Sequence, residues 1–208
     1  MDVYEAIAAR KTIRDFSPTE IPVEIIHRLI AAGFYAPTNN HMREWHFILL
    51  QDKTKRKELL DLVIKPSDRK RAINIINDWG LTDENQREMY IDAIPRQYSM
   101  LFNAACLILP CYCQPTPLLA PPDLSALNPF ASIWCCIENI LVAAAAEGIF
   151  GVTRIPFDSE RETIKQFLRI PNGYEVPCYL ALGYPEETSV RAKQVAIAVE
   201  TRIHSDGW

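Results

Sequence analysis

The spacing of apolar residues along the chain predicts helices and strands in alternation. Apolar residues three and four positions apart, the repeat of a helix with one buried face, predict five helices, over residues 3–11, 22–33, 53–63, 133–147 and 159–168. Short runs of bulky and branched residues predict four strands, over residues 45–50, 104–113, 149–155 and 176–183. Strands separated by helices in this way predict an α+β layered domain.

Five segments depart from simple amphipathic periodicity. The run 104–113 is continuously apolar, which indicates a central strand buried on both faces. The proline-rich stretch 115–129 is predicted to be loop only. Helix 133–147 is apolar almost all round, so we expect it in a core or a dimer interface. Residues 66–103 are polar and helical in pattern and predict a helical insertion around a site, and a mixed C-terminal tail occupies 190–208.

Length and charge exclude several classes of protein. The 208 residues fit one domain over 1–208, and 26 acidic against 22 basic residues give a net charge of −4. No whole-molecule field therefore attracts nucleic acid or an anionic membrane, and any phosphate site must be local. The first residues carry no apolar core of a signal peptide, and the apolar stretches are shorter than a membrane span. We expect a cytoplasmic protein, with no membrane or nucleic-acid partner, whose six cysteines stay reduced and form no metal site.

A first candidate site is the run Arg10-Lys11-Thr12-Ile13-Arg14, with three cations and a hydroxyl in five residues. Arginine offers a planar fork of donors and lysine a compact charge, so together they can bind a phosphate dianion. The simpler alternative is that these cations satisfy the last carbonyls of the first helix.

A second candidate is the polar loop of residues 36–45, which leads into the first strand and supplies many hydrogen-bond donors. Its alternative reading is a plain turn, in which Asn39 and Asn40 serve for their tolerance of unusual backbone angles.

In this order from the amino terminus, and followed by the helix end Glu147-Gly148-Ile149-Phe150-Gly151 and the segment 170–185, these motifs resemble the nitroreductase family of flavin mononucleotide (FMN) enzymes. The resemblance covers nearly the whole chain. It implies a single nitroreductase-like FMN-binding domain with a central mixed sheet flanked by helices. It also implies an intertwined homodimer with two FMN sites at its interface.

The resemblance implies roles for individual residues. A basic segment contacts the flavin phosphate and pyrimidine edge, and here it comprises Arg10, Lys11, Thr12 and Arg14. The late cations Arg191 and Lys193 complete the phosphate clamp. The loop that a second subunit lends to the flavin ring comprises Pro37, Thr38, Asn39 and His41. Phe150 and Gly151 lie against the ring near N5 and O4, and Gln97 reaches its polar edge.

The implied activity is hydride transfer from NADH or NADPH through FMN to a nitroaromatic, a quinone or a similar electron-poor acceptor, in a ping-pong cycle. No catalytic side chain is demanded by this chemistry. The loop departs from the family at His41, Arg43 and Glu44, which leaves the acceptor open. Alternatives are reduction of activated alkenes or halogenated rings, a flavin-binding protein without turnover, and a cofactor-free dimerisation module.

Overall fold

The computed structural model describes residues 1–39, 41–189 and 196–208. The helices of this described part are α1 (Val3–Ala9), α2 (Val23–Gly33), α3 (Lys53–Val63), α4 (Arg69–Asp78), α5 (Glu84–Ala93), α6 (Gln97–Asn103), α7 (Asn128–Ala146) and α8 (Asp158–Leu168). Its strands are β1 (Trp45–Leu49), β2 (Cys106–Cys113), β3 (Phe150–Arg154), β4 (Tyr174–Glu175) and β5 (Tyr179–Gly183). The α+β prediction is confirmed.

The strands form one sheet in the order β1-β2-β5-β3, and the short strand β4 pairs with β2 beside this path. Each ladder between the described strands is antiparallel, whereas a mixed sheet was expected. Parallel pairing within the described residues is limited to an isolated bridge between Thr12 and Gly151. Strand direction depends on how the chain returns to the sheet, which local periodicity does not encode.

The central position predicted for residues 104–113 is confirmed, because β2 lies between β1 and β5 and is buried along nearly its whole length. Alternate residues of β2 belong to two different cores. Leu107 and Leu109 face a cluster with α3, α6 and α8, while Cys106 and Ile108 face a cluster with α2 and α7. The sheet therefore has a hydrophobic layer on each face, and this is why the strand reads as a continuous apolar run.

The stretch 115–129 was predicted to be loop throughout, and this prediction is wrong for its second half. A 3₁₀ helix covers Leu124–Leu127, and α7 already begins at Asn128, with Pro129 in its first turn. Proline is tolerated there because its missing N–H has no partner within the helix. Asp123 caps the 3₁₀ turn by accepting a hydrogen bond from the Ala126 N–H at 3.0 Å.

Helix α7 is the long core helix of the domain and packs closely on α2. A Cβ added to Gly33 would lie 2.8 Å from Cys136 Sγ and 2.9 Å from an Ile140 carbon, so glycine permits this approach. By length and composition alone, Leu124–Ala146 is apolar enough to cross a membrane, a test that core helices of soluble proteins also pass. The insertion 66–103 is helical as predicted, since it holds α4, α5 and α6.

Candidate functional site

The predicted phosphate-binding segment runs along the outer edge of β3. Thr12 forms a parallel bridge with Gly151, and the Ile13 N–H donates to the Gly151 carbonyl at 3.2 Å. Gly151 also permits the close pairing of β3 with β5, because an added Cβ would lie 2.4 Å from the Ala181 carbonyl oxygen in β5. The structure thus brings together two motifs that are about 140 residues apart in the sequence.

The first two cations of the segment lie at the surface of this edge. Arg10 Nε is 3.2 Å from Glu138 Oε1, and both side chains are about half exposed, at 42% and 53%. Such an exposed pair contributes little stability, so it yields readily to a ligand. The Lys11 ammonium lies 4.1 Å from the centroid of the Phe150 ring, an attractive cation–π geometry. Thr12 is exposed beside them.

Arg14 is the cation whose surroundings most clearly suit a ligand. Burial lowers the pKa of its guanidinium, and nearby Asp92 opposes that effect. Within the described residues its guanidinium donates to the sulfur of Met89, at 3.6 Å, which is a weak acceptor. The neighbouring carboxylates are already engaged by Arg96, which lies 2.6 Å from Asp15 and 2.8 Å from Asp92. A partly buried guanidinium short of acceptors fits a polar or anionic ligand edge.

Gln97 is held in one orientation by a buried ion pair. Arg154 Nε donates to Gln97 Oε1 at 2.9 Å. The two terminal nitrogens of Arg154 donate to the two oxygens of Glu160, both at 2.7 Å, and each partner is only 6% exposed. Because a guanidinium only donates, the amide atom that faces it must be the oxygen. The amide NH₂ of Gln97 therefore points away from Arg154 and is left to donate to a ligand.

The polar loop of residues 36–45 lies at the opposite edge of the sheet, before β1. Three strand spacings separate β1 from β3, roughly 14 Å at ~4.8 Å per spacing. Thr38, Asn39 and Arg43 line a separate cleft of about 250 Å³ beside the first turn of α7. Within one chain, the two predicted motifs are therefore not brought together. The expectation that a second subunit receives this loop stays a prediction.

The loop has unusual backbone angles at His41 and Arg43, whereas the sequence analysis expected them at Asn39 and Asn40. His41 and Arg43 have φ values of 59° and 49°, in the left-handed region that costs energy for residues other than glycine. Of the two residues expected to tolerate such angles, Asn39 is not among the described positive-φ residues, and Asn40 lies outside the described residues. Arg43 Nε is buried without a hydrogen-bond partner in the described chain. The positive φ values therefore lie within the predicted flavin loop, at His41, and two residues beyond it, at Arg43.

Several predicted roles remain predictions after this placement. Arg191 and Lys193 lie outside the described residues, so their share in a phosphate clamp is not described. Pro37 is exposed and Thr38 partly buried at the start of the loop. The Arg154–Glu160 pair was missed by sequence reasoning. Its one local signal is an arginine at a strand end six residues before a glutamate in the first turn of a helix.

Comparison with known proteins shows the family and the fold of this chain. The sequence profile of the nitroreductase family matches residues 7–184, and the chain belongs to that family. A protein of Methanothermobacter thermautotrophicus, with the provisional name NADH dehydrogenase/NAD(P)H nitroreductase, is 26% identical over 100% of this chain and 88% of its own length.

Two solved structures show the same fold. A crystal structure of oxidised iodotyrosine deiodinase bound to FMN and 3-iodo-L-tyrosine matches with a TM-score of 0.73 and 15% identity, covering 100% of both chains. A BluB-like flavoprotein from Clostridium difficile matches with a TM-score of 0.72 and 19% identity, also covering 100% of both chains. At these identities the likeness concerns the fold.

Proposed function

We propose that the protein is an FMN-dependent oxidoreductase. It takes electrons from NADH or NADPH and passes them to a small electron-poor acceptor, such as a nitroaromatic or a quinone, in a ping-pong cycle. The observation that carries the proposal is the half-buried guanidinium of Arg14 in the basic segment along β3, whose side-chain hydrogen bond within the described residues goes to the weak acceptor sulfur of Met89. Membership of the nitroreductase family supports it, as does the FMN in a structure of the same fold.

The residues present fit this cofactor. When bound, FMN supplies hydride transfer through its ring. Arg10, Lys11 and Thr12 would hold the phosphate, with Arg191 and Lys193 completing the clamp.

Arg14 and the outward NH₂ of Gln97 would donate to the polar edge of the ring, where negative charge develops on reduction. Phe150 and Gly151 would form the wall beside it.

We further propose a homodimer in which the loop Pro37, Thr38, Asn39 and His41 completes the site of the second subunit. The separation of this loop from the β3 edge supports the proposal. So do large apolar side chains that stay exposed in the single chain, among them Tyr4 at 81% and Tyr35 at 87%. The cytoplasm is the compartment we propose, since all six cysteines are free.

The experiment is an anaerobic absorbance titration of the purified protein with NADH and with NADPH. Bleaching of a flavin spectrum, and its return on adding an acceptor, is the expected result. A flavin spectrum that neither nucleotide bleaches would favour a binding protein without turnover. A colourless preparation that takes up no FMN would favour a dimerisation module. Riboflavin binding as tightly as FMN would refute the phosphate clamp.

A second candidate is reduction of a halogenated ring by the same site. It is favoured by the match to iodotyrosine deiodinase from Nematostella vectensis, which is 20% identical over 88% of this chain and 67% of that protein. Release of iodide from 3-iodotyrosine under the same anaerobic conditions tests it. Equal rates of release with and without the protein would exclude it.

A further inference from the structure

A second cleft lies where the helical insertion meets the sheet. Its volume is about 250 Å³, and it is bounded by the end of α3, by α4, by the start of α6 and by the start of α8. Gln97 lines it, so it adjoins the residue expected at the polar edge of the flavin.

The polar groups left unsatisfied in this cleft are hydrogen-bond donors. Lys65 and Arg71 line it, and neither has a carboxylate partner among the described ion pairs. Gln97 adds no free acceptor to the cleft, because its oxygen accepts from Arg154. The carboxylate of the lining, Glu160, has both oxygens bonded to Arg154 and is neutralised.

A buried hydroxyl adds to this set. Ser67 Oγ is buried in the lining and has no hydrogen-bond partner in the described chain. An orphaned buried hydroxyl costs free energy unless a ligand or water bonds to it. The complement to two cations and a hydroxyl is an anionic acceptor such as a carboxylate.

The rest of the lining suits a flat apolar body. Trp79 and Phe157 line the cleft and are 52% and 60% exposed. Trp79 is held by an edge-on contact with Tyr90, with ring centroids 5.4 Å apart. Arg87 fixes the turn between α4 and α5 by donating to the Leu81 carbonyl at 2.7 Å. Exposed aromatic rings that line a cleft can stack on a planar ligand.

We propose that this cleft binds a planar organic anion, an aromatic carboxylate, as the electron acceptor. The assignment as acceptor rests on the proposed function, whereas the binding of the anion follows from the cleft alone. The attraction is local, because the whole chain carries a net charge of −4. A neutral planar acceptor would stack on the same walls and leave the two cations unpaired.

Calorimetric titration of the purified protein with benzoate and with uncharged benzamide tests the binding. We expect benzoate to bind about tenfold more tightly, the size of one charge-assisted hydrogen bond. The double variant Lys65→Gln/Arg71→Gln should bind the two probes equally. Both side chains are exposed, so the fold should survive. Lys70→Gln is the matched control, because Lys70 lies on the same helix but not in the lining, and it should keep the preference.

Turnover provides the second readout. The ratio of kcat/KM for 4-nitrobenzoate over 4-nitrobenzamide should fall about tenfold in the double variant. Equal binding of benzoate and benzamide to the natural protein would overturn the proposal, as would an equal loss of preference in Lys70→Gln. Weaker FMN binding by the double variant would also overturn it, since the cleft would then belong to the flavin. Flavin content, read from the spectrum before each titration, reports on the proposed function separately.

Discussion

Replacing Arg154 with methionine leaves a carboxylate in the protein interior without its cation. Arg154 and Glu160 are each 6% exposed and share two hydrogen bonds of 2.7 Å. In Arg154→Met, Glu160 retains only the Phe157 N–H, which donates to it at 3.2 Å. Gln97 loses its bond from Arg154 in the same change.

The expected loss in the free energy of unfolding is about 3–5 kcal/mol, because an uncompensated charge stays buried. The double variant Arg154→Met/Glu160→Met removes both charges and keeps apolar volume in the gap. It still loses the bond to the Phe157 N–H at the start of α8, which costs about 1–2 kcal/mol. The double variant should therefore be more stable than Arg154→Met alone, by about 2 kcal/mol.

Urea unfolding at fixed protein and FMN concentration measures these differences. Arg28→Met is the control, since Arg28 pairs with Glu147 at a similar distance of 2.6 Å but at the surface. Its loss should stay below about 1 kcal/mol. A cost under ~1 kcal/mol for Arg154→Met, or a double variant less stable than Arg154→Met, would refute the reasoning that burial makes this pair costly to break.

Three further outcomes are expected. Gly151→Ala should lower the free energy of unfolding in urea by at least about 1–3 kcal/mol, because its Cβ would lie 2.4 Å from the Ala181 carbonyl oxygen. An unchanged urea midpoint would contradict this packing of β3 on β5. Burial raises the pKa of Cys106 from its ordinary 9.0 to about 11 and that of Cys136 to about 12. The contribution of these thiols to the free energy of unfolding is therefore complete below pH 9.0. It is lost as pH rises through 11 for Cys106 and 12 for Cys136, at about 1.4 kcal/mol per pH unit for each thiol. Melting temperatures of Cys106→Ala and Cys136→Ala should decline less steeply with pH in the alkaline range than those of the natural protein. Arg14→Gln should weaken FMN binding by about 1.5–3 kcal/mol in a fluorescence titration, and unchanged affinity would exclude contact with the flavin.

Local periodicity predicted most of the secondary structure. Helices α2, α3 and α8 and the central strand β2 follow their apolar spacing closely. The start of α7 was placed five residues late, because Pro129 was taken as a loop residue although it sits in the first turn of the helix. The strand predicted at 176–183 begins only at Tyr179, and Pro177, which has no N–H to donate to a ladder, lies between it and β4.

The basic segment could be recognised from the sequence because its five residues are consecutive. Its place on β3 could not, because the bridge from Thr12 to Gly151 joins residues far apart in the chain. The same holds for Gln97, whose orientation depends on Arg154, 57 residues later. The donor-lined cleft gathers residues of α4, α6 and α8 that form no motif along the chain.

The sequence by itself therefore determined most of the helices and strands, whereas the single domain and the phosphate-binding residues stay predictions. Helices and strands depend on neighbours within a few positions of the chain. When one face of such an element is buried, its apolar residues recur at a fixed spacing that is visible in the sequence. The tertiary structure alone decided the antiparallel order of the strands, the separation of the two motifs onto opposite edges and the backbone strain at His41 and Arg43. Each of these follows from contacts between distant segments, whose free energies depend on the packing of the whole domain.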